Sequence, residues 1–217
     1  MYKGIIFDLD GTLLNTIDDL ADAGNQALSE LGYLTHKTNE YKMLVGNGIP
    51  KLIERMLPKG SSEEEQKRAF FIFSKYYEMN KENKTRPYDG MQDLIQKMHE
   101  AGIKTAVATN KSHEYSCELV EKFFGKNIDI VVGQREGIPC KPDTAVIEVI
   151  FRHFMLPKSE IIYVGDSGVD MQTAENAGLI SCGVLWGFRS REELVENGAV
   201  HLADNPASLL RIIRNGE

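Results

Sequence analysis

The sequence predicts an α/β protein, a doubly wound parallel sheet interrupted after its first strand by an all-helical insertion. Three observations carry that expectation. Tyr2-Lys3-Gly4-Ile5-Ile6-Phe7 is a short, largely apolar stretch without polar alternation, as expected of a strand buried on both faces of a parallel sheet. No second strand follows it directly; the pattern turns helical and stays so to about residue 86. From Gly90 onward strand-like and helix-like segments alternate, which implies parallel strands with helices on both faces.

Taken in order, the first strand runs into Asp8-Leu9-Asp10-Gly11-Thr12. Residues two apart on an extended chain point to the same side, so Asp8 and Asp10 converge if the strand continues past Phe7, and Gly11 then permits a sharp turn. Adjacent carboxylates raise each other's pKa unless a cation or donors intervene, so a metal ion or a protonated carboxyl is expected. Helical spacing of Ile17, Leu20, Ala21, Ala27, Leu28 and Leu31 predicts the first helix, closed by Gly32. Helices are also expected over 38–44 and about 49–57, the second stopped by Pro58. Ser62 and Glu65 form a capping-box pair that opens a helix to about Met79. Its Ala69, Phe70, Phe71, Ile72, Phe73, Tyr76 and Tyr77 make an apolar surface so wide that burial inside a helical bundle is expected. Pro87 and Gly90 mark the return, giving a core of residues 1–14 and 87–217 and an insertion of residues 15–86.

The alternating part begins with a helix from Met91 to Ala101, a strand from Lys104 to Thr109 and a helix capped by Ser112 that ends before Gly125. A strand is expected from Ile128 to Val132, a helix from Asp143 to Met155, a strand from Ile161 to Gly165 and a helix from Val169 to Ala177. The series closes with a strand from Ile180 to Leu185, a helix begun by Ser190 and Glu193, a short strand near Val200 and a helix with Pro206 in its first turn.

Charge narrows the function. The 25 basic against 32 acidic residues give −7, which disfavours non-specific nucleic-acid binding and attraction to anionic membranes. The N-terminus lacks the long apolar core of a signal peptide, and no apolar run approaches the length of a membrane span, so a cytoplasmic protein is expected. Cys117, Cys140 and Cys182 match neither a disulfide framework nor a zinc site, and the five histidines show no metal-ligand spacing.

Parallel sheets bind ligands at the carboxyl ends of their strands. There the sequence puts Asp8 and Asp10, then Thr109-Asn110, then Gly165-Asp166-Ser167-Gly168-Val169-Asp170, with Lys141 ahead of a helix in the same half. Together these residues supply hard oxygen ligands, a hydroxyl, an ammonium and a nucleophile, the set needed to hold a phosphoryl group against Mg²⁺.

In this order and at these intervals the motifs resemble those of the haloacid dehalogenase-like superfamily, over essentially the whole chain. The resemblance implies a Rossmann-like core with a helical cap, Mg²⁺ as cofactor and a small phosphate ester as substrate. It implies that Asp8 becomes an aspartyl-phosphate, that Asp10 serves as acid and then base, and that Thr109, Asn110 and Lys141 bind the phosphoryl group. Mg²⁺ would be held by Asp8, the Asp10 backbone carbonyl and Asp166, with Asp170 behind them. The second aspartate points to phosphoryl transfer, because displacing halide needs no proton on the leaving group. The stretch from Leu44 to Arg55 is similar to the cap segment of phosphoglycolate phosphatases, and Trp186 to Leu194 resembles a loop and helix of the same group. Within that stretch Gly46-Asn47-Gly48 opens a helix whose free amides suit a carboxylate, with Lys51 and Arg55 on one helical face. A hydrolase acting on 2-phosphoglycolate is therefore the leading expectation, as monomer or homodimer. A beta-phosphoglucomutase-type mutase and a pyrophosphate or nucleotide hydrolase share the same core motifs. A phospho-accepting receiver shares the Asp, Thr and Lys, but it lacks the extra Asp10 and the long helical insertion.

Overall fold

In the computed structural model of the protein, which describes residues 1–216, the central strand β1 (Gly4–Phe7) is buried along its whole length. Its side chains alternate between two cores, with Ile5 and Phe7 in one and Ile6 in the other. The chain continues through β2 (Leu14–Asn15) into four helices, α1 (Ile17–Glu30), α2 (Thr38–Leu44), α3 (Ile49–Met56) and α4 (Glu63–Asn80), and then β3 (Arg86–Pro87). The alternating part follows: α5 (Met91–Glu100), β4 (Lys104–Ser112), α6 (His113–Phe124), β5 (Ile130–Gln134), α7 (Ala145–Phe154), β6 (Ile161–Gly165) and α8 (Gly168–Ala177). It ends with β7 (Ile180–Val184), α9 (Arg191–Glu196), β8 (His201–Ala203) and α10 (Pro206–Asn215).

Six strands form one sheet in the order β5-β4-β1-β6-β7-β8, and every pairing in it is parallel. One core joins Ile5, Phe7, Val107, Ile162 and Val164 to the apolar sides of α5, α6 and α10. The opposite core joins Ile6, Ala106, Ala108, Ile161 and Tyr163 to α7 and α8. The sheet is thus covered on both faces. Strand order reverses direction beside β1, and at such a switch point the carboxyl ends open a crevice.

The chain separates into two compact units, one of residues 1–14 and 87–217 and one of residues 15–86. In the helical unit α1 packs on α2 and α4, and α3 on α4. The wide burial expected of α4 is not found. Only Ala69, Phe73 and Tyr77, spaced by four, are buried, whereas Phe71 is 68% exposed. A four-helix arrangement needs one stripe from each helix, so the remaining aromatics stay outside the unit's core. Among the described residues no helix is long and apolar enough to cross a membrane.

Two element starts differ from expectation because a carboxylate takes a backbone N–H. β5 starts at Ile130 because the Asp129 carboxylate takes the Thr105 N–H at 2.6 Å, a donor that a longer ladder would need. α7 starts at Ala145 because Asp143 Oδ1 accepts the Ala145 N–H at 2.8 Å and holds the preceding residues in a turn. Ser112 precedes α6 without a side-chain cap, since its hydroxyl donates to Glu114 instead.

Within the helical unit Asp19 is 2% exposed and accepts the backbone N–H groups of Lys84 at 3.0 Å and Thr85 at 2.8 Å. This fixes the start of α1 against the segment that leads into β3. Asp19→Ala strands those donors and is expected to cost about 2–3 kcal/mol. Urea denaturation would check this; an unchanged midpoint would show that the contact carries no stability.

Candidate active site

Three neighbouring parallel strands end together, and their ends gather the charged groups. Asp8 follows β1 directly, and its N–H donates to the Val164 carbonyl at 2.9 Å, which extends the ladder to β6 by one residue. Lys141 lies in the loop before α7 with its side chain 3% exposed. Its Nζ is 2.8 Å from Asp8 Oδ1, 2.7 Å from Asp170 Oδ1, 2.9 Å from the Ala108 carbonyl and 3.0 Å from the Tyr163 hydroxyl. Three ammonium hydrogens therefore face four oxygens. The Tyr163 hydroxyl relieves the excess by donating to Asp170 at 3.1 Å.

Asp170 is held by the helix it starts. At the third position of α8 its Oδ2 accepts from Ser167 N at 3.1 Å and Ser167 Oγ at 2.6 Å, while Ser167 Oγ accepts the Asp170 N–H. The loop carrying Lys141 is fixed from β4. Asn110 Oδ1 accepts the Lys141 N–H at 2.7 Å and Asn110 Nδ2 donates to the Lys141 carbonyl at 3.1 Å. Asn110, expected at the phosphate, has its side-chain amide engaged with the backbone of Lys141. Thr109 is buried, and its Oγ1 accepts the Lys111 N–H at 3.3 Å.

Asp166 follows β6 and is fully enclosed. Phe188 N donates to its Oδ2 at 2.7 Å, and Thr12 Oγ1 donates to Oδ1 at 3.4 Å. A Cβ at either Gly11 or Gly187 would collide with the Asp166 side chain, so both glycines are required for that close approach. Trp186 Nε1 donates to the Thr12 carbonyl at 3.0 Å and ties the loop after β7 to the turn after β1.

Asp10 lies outside the group of carboxylates that Asp8 joins. The strand ends at Phe7, and the chain turns at Gly11, whose φ is +88°. Asp10 then faces a second ammonium, with Lys111 Nζ 3.1 and 3.2 Å from its two carboxylate oxygens. Sequence reasoning missed Lys111 because it ended β4 at Thr109, whereas the strand runs to Ser112. Continuing the strand by one pleat would have placed Lys111 near Thr109. Tyr163, in the middle of an apolar run, gave no signal of its polar role.

Oxygens of Asp8, Asp166 and Asp170 lie within 4.8 Å of one another. With Asp10, four carboxyl groups stand against the two ammoniums of Lys111 and Lys141. The donors are hard oxygens, so the set fits a divalent cation such as Mg²⁺. Electrostatics agree. Burial pushes the Asp8 carboxyl up to about 6, with Lys141 opposing and the charges of Asp170 and Asp10 adding. Burial, reinforced by Asp170 and Asp8, holds Asp166 well above the usual carboxylate range.

Gly46, Asn47 and Gly48 lie between α2 and α3 in the helical unit, all with positive φ. Arg55, read from the sequence as a helix-face charge, shapes this loop. It donates to the carbonyls of Leu44 at 3.0 Å and Gly46 at 3.1 Å and to Asn47 Oδ1 at 3.2 Å. Lys51 pairs with Glu54 at 2.6 Å.

A family model described as haloacid dehalogenase-like hydrolase matches residues 5–184. The phosphoglycolate phosphatase of Vibrio parahaemolyticus is 30% identical over 97% of this chain and 96% of its own length. That of Cereibacter sphaeroides is 33% identical over 96% of this chain and 97% of its own. Among solved structures, a predicted phosphoglycolate phosphatase from Haemophilus somnus superposes with a TM-score of 0.90 at 28% identity, covering 97% of each chain.

The raised carboxyls fix the sign of a pH effect. Between the unfolded value near 4 and the folded value about 6, the native state holds the Asp8 proton more tightly, so burial costs stability as pH rises through that window. Asp166 extends the window upward. A divalent cation offsets the exposed charge, so Mg²⁺ is expected to raise the melting temperature more at pH 7 than at pH 5. Equal shifts at both pH values would mean that these carboxylates do not bind the ion.

Proposed function

We propose that this chain, a phosphatase belonging to the haloacid dehalogenase-like hydrolases, hydrolyses 2-phosphoglycolate with Mg²⁺ through an aspartyl-phosphate. The observation that carries the reading is the separation of two aspartates by two ammoniums, Lys141 on Asp8 and Lys111 on Asp10. One carboxylate can stay ionised as nucleophile while its neighbour moves a proton. The near-full-length similarity to phosphatases named for phosphoglycolate supports the substrate.

The carboxylates of Asp8 and Asp166 and the backbone carbonyl of Asp10 would hold Mg²⁺, which when bound supplies charge neutralisation at the phosphoryl oxygens. An oxygen of Asp8 attacks phosphorus and the bond to the leaving oxygen breaks, with Asp10 giving that oxygen its proton. Asp10 then takes a proton from the water that attacks the aspartyl-phosphate, and phosphate leaves with Asp8 restored. Lys141 and Thr109 orient the phosphoryl group, Asn110 holds the Lys141 loop, and Asp170 keeps the Lys141 ammonium in place. Residues 15–86 act as a cap, with the amides of Gly46-Asn47-Gly48 as its candidate for substrate recognition.

The test is steady-state phosphate release, with Mg²⁺ and with chelator, from 2-phosphoglycolate, beta-glucose 1-phosphate, pyrophosphate and a nucleoside monophosphate. A clear kcat/KM preference for 2-phosphoglycolate that chelator abolishes is expected. Conversion of beta-glucose 1-phosphate to its 6-phosphate would favour the mutase instead. Asp8→Asn should lower turnover at least about 10³-fold. Asp10→Asn should still be phosphorylated by an aryl phosphate, whose leaving group needs no proton, yet release phosphate slowly. If acid quenching traps no phosphoprotein in that variant, the acid-base assignment is wrong.

A further inference from the structure

Lys111 is a buried ammonium to which the scheme above gives no direct contact with substrate. Its side chain is 3% exposed, against 16% for Asp10, and it reaches both Asp10 oxygens. Burying such a pair requires desolvating both ions, which their mutual attraction often fails to repay, so charge balance alone explains it poorly.

The chemistry of the proposed substrate supplies a reason. To receive a proton from Asp10, the leaving oxygen must come within roughly 2.6–3.2 Å of that carboxyl. In 2-phosphoglycolate one methylene separates this oxygen from a carboxylate. Once Asp10 has given up its proton, it is an anion within a few ångströms of the substrate's carboxylate, an unfavourable pair unless a cation stands there. Lys141 is committed elsewhere, among Asp8, Asp170, Tyr163 and the Ala108 carbonyl. Lys111 stands on Asp10 itself, and its ammonium can exchange one Asp10 oxygen for one of the substrate.

We infer that Lys111 is a specificity-determining residue whose ammonium bridges Asp10 and the carboxylate of the leaving group. The site then favours phosphate esters of short 2-hydroxy acids, because a longer spacer would carry the carboxylate past Lys111. This rests on the proposed phosphomonoesterase reading.

The test compares 2-phosphoglycolate with its amide, which keeps the ester and removes the charge, in the wild type, Lys111→Met and Lys111→Arg. Lys111→Met is expected to lose about 10- to 100-fold more in kcat/KM on the acid than on the amide, with the excess mainly in KM, while the loss common to both substrates reports its hold on Asp10. Lys111→Arg should keep part of the preference. Inhibition by 3-phosphonopropionate, whose binding needs no proton from Asp10, should weaken in parallel. Where Lys111→Met does not fold, Lys111→Gln, which keeps a donor to Asp10 without the charge, carries the same comparison.

Equal losses on acid and amide, with inhibition by 3-phosphonopropionate unchanged, would overturn the inference and confine Lys111 to positioning Asp10. A wild type that cleaves other phosphate esters but does not distinguish acid from amide would overturn the substrate reading and the inference with it.

Discussion

The ammonium of Lys141 is the interaction on which the site depends. It joins Asp8 after β1, the Ala108 carbonyl in β4, Tyr163 in β6 and Asp170 in α8, so one buried cation draws together three strands and a helix start. Buried carboxylates at this density repel one another strongly in a medium of low polarisability. Without the lysine, Asp8 would gain a proton or move away from Asp170. The parallel sheet makes the gathering possible, since all its strands deliver their carboxyl ends to one edge.

A second ammonium divides the labour. Asp8 and Asp10 are close in sequence and of one type, yet Lys141 holds the first and Lys111 the second. Asp166 is bonded to neither lysine; a backbone N–H and a hydroxyl hold it, and the positive charge of Arg189 acts on it from nearby. A hard divalent ion is the kind of charge that such a set of oxygens would accommodate.

Much of this was legible in the sequence, for physical reasons. Unalternated apolar runs fixed which strands are central, and acidic, hydroxyl and lysine residues at their ends marked one edge. What stayed hidden depends on where elements stop. Lys111 went unseen because nothing local announces that β4 continues through Thr109-Asn110-Lys111 to Ser112. The early residues of β5 are decided by Asp129 reaching back to Thr105, a contact across 24 residues. The aromatic run in α4 misled because apolar count does not say how many sides of a helix find partners. Arg55 looked like a solvated charge, and only tertiary structure shows three oxygens of the preceding loop converging on it.

The paired hydrogen bonds between Asn110 and the backbone of Lys141 have a consequence for how such a chain can vary. The two residues are 31 apart in sequence, yet the amide joins them as one rung of a ladder would. The position of the lysine is thereby referred to β4 and not to the length of the chain between them. Insertions or deletions in the loop that precedes Lys141 can be absorbed there without displacing the ammonium, so this side of the scaffold can change its outline while the clustered charges stay where they are.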